Sequence, residues 1–214
     1  QLEEMKYDLI IVGAGPAGLS TAIKLKQLDK KNNTNHSVCV IEKGSEVGAH
    51  ILSGAVLDTC GLDLLIPEWK QKGAPIKVPV KKDNFLILGE AGSIRLPNFP
   101  MPPLMNNHGN YIVSMANVCR WMAEQAEELG VEIFPGMSCS DLIFGDNNEL
   151  TGVVAGEFGK SKDGSVGDGY EPGMELLGKY IFLSEGVRGS LSKQVIKKYA
   201  LDKNSDVPKF GLGM

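Results

Sequence analysis

Three glycines, Gly13, Gly15 and Gly18, stand in GxGxxG spacing near the head of the chain, and a carboxylate, Glu42, follows 24 residues after the last of them. Glycines at that spacing let backbone N–H groups approach a diphosphate, and a carboxylate at that remove accepts hydrogen bonds from both hydroxyls of a ribose. A negative charge there also disfavours a 2′-phosphate, so NADP is the poor fit, while FAD and NAD both satisfy the pattern. A second glycine pair, Gly186 and Gly189, lies in SEGVRGS with Arg188 between them, a turn that can meet the same phosphates. Neither a nucleophile triad, nor paired carboxylates, nor zinc-type spacing accompanies these residues. No side-chain acid or base is therefore nominated, and the chemistry falls to a cofactor.

Positioning such a ligand requires a strand before the first glycine turn and a helix after it. Leu9, Ile10, Ile11 and Val12 form the apolar run of a buried parallel strand. The next dozen residues read as helix, with Pro16 in its first turn and Leu19, Ala22 and Ile23 toward the sheet. The polar tract Asp29 to His36 is expected to be a surface loop, and Val38 to Ile41 a second strand that ends at Glu42. Ser114 is expected to cap a helix over Met115–Leu129, closed by Gly130, before a strand over Val131–Phe134 that returns to the nucleotide sheet. A hairpin over Cys139–Phe144 and Leu150–Val154, a loop over Lys160–Glu171, a strand over Leu176–Leu183 and a lysine-bearing helix follow.

The stretch from Gly44 to Asn110 is irregular. Phe85–Leu88 and Ile94–Leu96 read as short strands, the proline-rich link after them excludes regular sheet, and His108 within it reads as a turn residue. Leu62, Leu64, Leu65, Ile66 and Trp69 form an apolar cluster beside Lys70 and Lys72, which on composition alone favours core over a membrane interface.

The chain has 214 residues, 43% hydrophobic and 22% charged, with a formal net charge of −4. That balance gives no support to nucleic-acid binding. No apolar run approaches the roughly 18 residues of a membrane span. Cys39, Cys60, Cys119 and Cys139 are scattered and make no CxxC pair, which points to isolated thiols rather than a metal or iron–sulfur site.

From about Met5 to Tyr199 the chain resembles the electron transfer flavoprotein–ubiquinone oxidoreductases. The resemblance is carried by DLIIVGAGPAGLSTAIKLKQL, VCVIEKGSEVGAHILSGAVLD, PEWKQKGAPI, PLMNNHGNYIVS, WMAEQAEELGVEIFPG and SEGVRGSLSKQVIKKY. It implies an α/β fold: a Rossmann-like FAD-binding domain of the glutathione-reductase type, interrupted by part of a second α+β domain. The nucleotide domain is expected over residues 1–60 and 111–157, with a quinone- and membrane-side insert over 61–110. A loop over 158–174, the second glycine motif and helix over 175–202, and a tail over 203–214 complete the division.

Carried over to this sequence, the family's FAD contacts fall on Gly13, Gly15, Pro16, Ala17, Gly18, Glu42, Lys43, Gly48, Ser53, Gly54, Gly186 and Gly189. The implied partners are electron transfer flavoprotein and ubiquinone, without nucleic acid. The implied location is the matrix side of the mitochondrial inner membrane, or the cytoplasmic membrane in a bacterium. The resemblance also turns Leu62, Leu64, Leu65 and Trp69 from core toward membrane contact.

Two departures stand out. Ser114 sits where related flavoproteins often place a cofactor-reaching arginine. Members of the family also continue past the point matching Met214, with a late glycine–aspartate motif and a ferredoxin-like part that carries one [4Fe–4S] cluster. The cluster's ligands are therefore expected outside this chain, and FAD is expected to be held weakly or not at all by it alone. Another FAD-dependent reductase or hydroxylase, of geranylgeranyl-reductase type, and a dinucleotide-binding module without activity are the alternatives.

Overall fold

Two neighbouring apolar runs, LIIV and VCVI, lie side by side at the centre of the structure, each alternating its side chains between two covered faces. The computed structural model describes residues 3–52, 54–160 and 166–207. The elements run in chain order as β1 (Glu4–Val12), α1 (Pro16–Asn32), β2 (Val38–Glu42), β3 (Ala55–Leu57), α2 (Cys60–Leu65) and β4 (Val78–Pro79). The hairpin β5 (Phe85–Gly89) and β6 (Gly92–Leu96), then β7 (Tyr111–Val113), α3 (Met115–Glu128) and β8 (Glu132–Pro135) follow. The chain continues through β9 (Cys139–Phe144), β10 (Leu150–Ala155), β11 (Phe158–Lys160), β12 (Val166–Glu171), β13 (Met174–Leu183) and α4 (Ser190–Tyr199).

The main sheet has the order β8-β2-β1-β13-β10-β9. Its first four strands are parallel, and β10 and β9 join as an antiparallel hairpin beside the start of β13. On one face Leu9, Ile11, Val38 and Val40 meet Leu19, Ala22 and Ile23 of α1 and Cys119, Met122 and Ala126 of α3. On the other, Ile10, Val12, Cys39 and Ile41 meet Val153, Leu176 and Leu191. Each fully buried isoleucine at the centre contributes on the order of 1.5–3 kcal/mol, so these two short runs anchor both layers. Tyr7 donates its hydroxyl to Glu132 at 2.8 Å, tying β1 across β2 to β8, and burial together with that bond holds its pKa above the usual phenol value.

The expected loop over Asp29–His36 is half helix, because α1 continues to Asn32. Asp29 points inward at 3% exposure and accepts hydrogen bonds from the Thr34 hydroxyl at 2.7 Å and the His36 amide at 2.9 Å. With Asn33 left-handed at φ 52°, these bonds end the helix one turn later than a polar tract suggests. The expected loop over Lys160–Glu171 also differs: β11 and β12 pair antiparallel there, and residues 161–165 lie outside the described part.

The helix after Ser114 stands where its pattern places it, and the Ser114 hydroxyl accepts the Asn117 amide at 3.4 Å. The stretch between β3 and β7 builds a three-stranded antiparallel sheet, β3-β7-β4, and a separate β5–β6 hairpin. Trp69 is 2% exposed, and Leu62 and Ile66 are buried with it in the core cluster that also holds α1 and α3. The Trp69 indole donates to Asp63 at 2.6 Å and meets the Tyr111 ring edge-on. Membrane contact through Leu62 and Trp69 is therefore corrected: both are core residues. Leu65 packs partly against the same core, and only Leu64, 82% exposed, stands free.

Candidate functional site

At the carboxyl ends of β1, β2 and β13 the sheet opens into a cleft of about 830 Å³. This is where open parallel sheets bind ligands, since the turns leaving adjacent strands diverge there. Gly13, Gly15, Pro16, Ala17, Glu42, Lys43, Gly48, Gly186 and Gly189 all line it. Of the remaining expected contacts, Gly18 sits behind the lining, Gly54 lies outside it, and Ser53 falls outside the described residues.

The three glycines of the first turn do different work. Gly13, at φ 107°, packs so closely on the carbonyl of Ser184 at the end of β13 that no side chain fits. Gly18 likewise has the Gly13 carbonyl and the Ile11 side chain where a Cβ would stand, which brings α1 down onto β1. Gly15 is different: nothing lies within 4 Å of the place its Cβ would take. Its smallness is unused by the protein's own packing and is spent on open cleft. It also serves as N-cap of α1 without any side-chain cap, so the positive end of that helix faces the cleft unneutralised.

Glu42 forms the floor. One carboxylate oxygen accepts the Ala14 amide at 2.9 Å and the other the Gly44 amide at 2.7 Å, which ties the first turn to the end of β2. Each oxygen keeps acceptor capacity for a ribose hydroxyl. The turn after β8 crosses close by, with the amides of Gly136 and Met137 donating to the carbonyls of Gly44 and Glu42 at 2.6 and 2.9 Å. Gly48 rests on Ala116 of α3, where a Cβ would come within 2.8 Å of a backbone oxygen. Arg120 secures the same loop through Glu46 at 2.8 Å.

The second glycine turn closes the far wall. Glu185 accepts the Ser192 amide and hydroxyl, each at 2.7 Å, and the Leu191 amide at 3.3 Å, filling the N-terminus of α4. Gly189 is glycine on that account, since a Cβ there would lie 2.6 Å from the Glu185 carboxylate. Arg188 is exposed on the same wall.

His50 and Ile51 line the cleft within the Gly48–Ala55 stretch that the family resemblance places near the flavin, while Met115, Met137, Ser138 and Cys139 escaped the sequence reading. Only the approach of the β8–β9 turn to β2 brings the last three in, and no local motif marks it. The Cys139 thiol is pushed up to about 12 by burial, with the Glu185 charge adding to it, so the cleft holds a neutral thiol and not a thiolate nucleophile. Among the described residues no group of three or more His, Cys, Asp or Glu side chains could hold a metal ion. The geometry suits binding and orienting an extended diphosphate ligand.

The chain is similar to known proteins at three levels. Residues 11–68 match the model of the NAD(P)-binding Rossmann-like domain. The electron transfer flavoprotein-ubiquinone oxidoreductase of Pseudomonas aeruginosa is 50% identical over 99% of this chain, and the mitochondrial protein of that name from Dictyostelium discoideum is 49% identical over 98%. The chain spans 39% and 34% of their lengths. Among solved structures, a geranylgeranyl bacteriochlorophyll reductase-like protein from Thermoplasma acidophilum superposes with a TM-score of 0.56 at 16% identity, over 84% of this chain and 39% of that one. The last likeness speaks to fold alone, and agrees with a Rossmann-like α/β sheet.

Proposed function

We propose that this chain is the FAD-holding part of an electron transfer flavoprotein–ubiquinone oxidoreductase, which takes electrons from reduced electron transfer flavoprotein and delivers them to ubiquinone. The observation that carries the reading is the conjunction of Gly15 and Glu42 in one cleft: an uncapped helix N-terminus beside empty space, 27 residues ahead of a carboxylate held at the strand end. Similarity over nearly the whole chain to proteins of that name supports the specific partners.

In this reading the ADP half of FAD lies with its ribose on Glu42 and its diphosphate over the first turn of α1, where the backbone amides and helix dipole supply donors and positive potential. Lys43 and Arg188 add mobile positive charge at the rim. The walls at Gly48–Ile51 and Ser184–Gly189 guide the rest of the cofactor along β13. Bound there, FAD would supply the redox chemistry between donor and quinone. This chain's own residues, Gly13, Gly15, Glu42 and the cleft walls, would bind and orient it. A [4Fe–4S] cluster, if the whole protein has one, would use ligands outside this sequence.

Membrane contact belongs, in this reading, to the β5–β6 hairpin instead of the buried Trp69 region. Leu86, Ile87, Leu88 and Ile94 are 46%, 53%, 76% and 68% exposed, and Phe99 just beyond is 90% exposed. Ile87 and Ile94 pair on one face beside the Phe85–Leu96 pair, while Leu86 and Leu88 share the other with Arg95 and Ser93, so one side is wholly apolar and the other mixed. Exposed apolar side chains on both faces suit burial in a lipid interface, with Arg95 on the mixed face and Lys81 and Lys82 just before the hairpin available to headgroups. No helix among the described residues is long and apolar enough to cross a membrane. The location we propose is the matrix side of the inner mitochondrial membrane, or the cytoplasmic membrane in a bacterium; the mitochondrial name of the Dictyostelium discoideum relative supports the first.

The test is quinone reduction by reduced electron transfer flavoprotein, measured on the full-length protein that contains this sequence. Turnover dependent on FAD is the expected result. A flavoprotein that binds FAD but reduces no quinone from that donor belongs to another reductase class.

A further inference from the structure

Two helices, α1 and α4, point their N-termini at the same cleft, and their ends are treated in opposite ways. The first turn of α1 has no side-chain cap and opens at Gly15 onto free space. The first turn of α4 is filled: the Glu185 carboxylate takes the Ser192 and Leu191 amides and the Ser192 hydroxyl. Gly189 is shaped to that carboxylate, whose oxygen would lie 2.6 Å from a Cβ there. The backbone nitrogen of Glu185 also stands 3.4 Å from the place a Gly13 Cβ would take, and Glu185 lines the same cleft as the first glycine turn.

From this we infer that Glu185 is a specificity residue that restricts the cleft to one anion seat, at α1, and reserves the α4 side for the uncharged portion of an extended ligand. The inference rests on the reading that an FAD-type dinucleotide occupies the cleft. It orients that ligand: ribose at Glu42, diphosphate at α1, and neutral hydroxyl-bearing chain past Ser184–Gly189. A helix N-terminus attracts phosphate, so an unfilled α4 would offer a competing seat within the same cleft. A carboxylate bound to those amides removes the donors and opposes a second anion by its charge. The second glycine motif thus keeps a polyanion in register by exclusion, and Gly186 and Gly189 shape the turn rather than cradle phosphate.

Titration calorimetry with inorganic pyrophosphate and, separately, with FAD tests this on three proteins, each cofactor-stripped and full-length: the parent, Glu185→Gln and Glu185→Ala. Glu185→Gln keeps an acceptor for the Ser192 amide while losing the charge, so α4 stays capped. It should bind pyrophosphate more tightly by about threefold or more, the scale of one unit charge within a screening length. Glu185→Ala empties the α4 amides and should take up a second equivalent of pyrophosphate. Helicity by circular dichroism identifies an Ala variant that has merely lost α4, in which case Glu185→Gln alone decides. Unchanged pyrophosphate affinity in Glu185→Gln overturns the inference, and so does a single equivalent bound by a folded Glu185→Ala. A cofactor-stripped full-length protein that binds pyrophosphate as expected but never FAD would overturn the FAD reading and leave the charge exclusion standing.

Discussion

Glu42 accepts the Ala14 amide at 2.9 Å, so the carboxylate expected to hold a ribose also holds the phosphate-binding turn in place. Ligand binding and local stability are coupled through one side chain. Glu42→Ala leaves the Ala14 and Gly44 amides without their partner and should destabilise the protein by about 1–3 kcal/mol in denaturant titrations. Glu42→Gln retains one acceptor oxygen and should recover roughly half of that loss. Equal stability for all three proteins would show that the two bonds contribute nothing.

Gly15 and Gly18 separate ligand binding from packing. Gly18→Ala drives a methyl into the Gly13 carbonyl and should cost about 1–3 kcal/mol, read as a lowered Tm. Gly15→Ala meets no protein atom, and its loss at the N-cap should be about 1 kcal/mol or less. A Gly15→Ala variant less stable than Gly18→Ala would contradict the assignment of open space to Gly15.

Trp69 and Leu88 divide core from membrane contact in the same manner. Trp69→Ala removes a 2%-exposed ring with its Asp63 bond and should cost about 3–5 kcal/mol, without bearing on lipid. The double change Leu88→Asp with Ile94→Asp should leave Tm unchanged within a degree or two and abolish flotation with anionic liposomes. Flotation that survives this change, with Tm also unchanged, would remove the hairpin from the membrane reading.

Acid stability should depend on two carboxylates at the start of the sheet. Burial alone would raise the pKa of Asp29, but the His36 amide, the Thr34 hydroxyl and the His36 ring together hold it well below the usual range. Asp8 is lowered to about 2 by Lys179 at 2.6 Å and by the Ser37 amide. Both folded values lie below the unfolded value of 3.8, so their stabilisation is complete above that pH and is lost as pH falls toward 2 and beyond. Thermal unfolding followed from neutral pH down to about 3 should show a steeper fall in Tm for the parent than for Asp29→Asn. Parallel curves would rule out Asp29 as a contributor.

The parts of this structure legible in the sequence are those set by short-range periodicity. LIIV and VCVI declare two buried strands, Ser114 and Gly130 bracket α3, and the first glycine turn announces its own geometry. What escaped depends on contacts between distant residues. The end of α1 moved because Asp29 finds Thr34 and His36, partners a polar tract does not advertise. Trp69 belongs to the core because α3 lies across its segment, with Trp121 donating to the Lys72 carbonyl at 3.0 Å. Family resemblance pulled that tryptophan toward the membrane, and composition alone had it right. Gly189 is a phosphate glycine by its motif, and the position of the Glu185 carboxylate adds a packing reason that the motif does not show.

The proposal that the Gly15 face of α1 seats the cofactor's diphosphate comes down to one comparison: calorimetric titration of FAD into the cofactor-stripped full-length protein that contains this sequence and into its Gly15→Val variant. The parent should bind FAD saturably. The valine, projecting into open cleft at an extended backbone position, should lower the affinity at least about tenfold while Tm stays within a few degrees of the parent. Undiminished FAD binding by a folded Gly15→Val, or no FAD binding by the parent at any concentration, would contradict it.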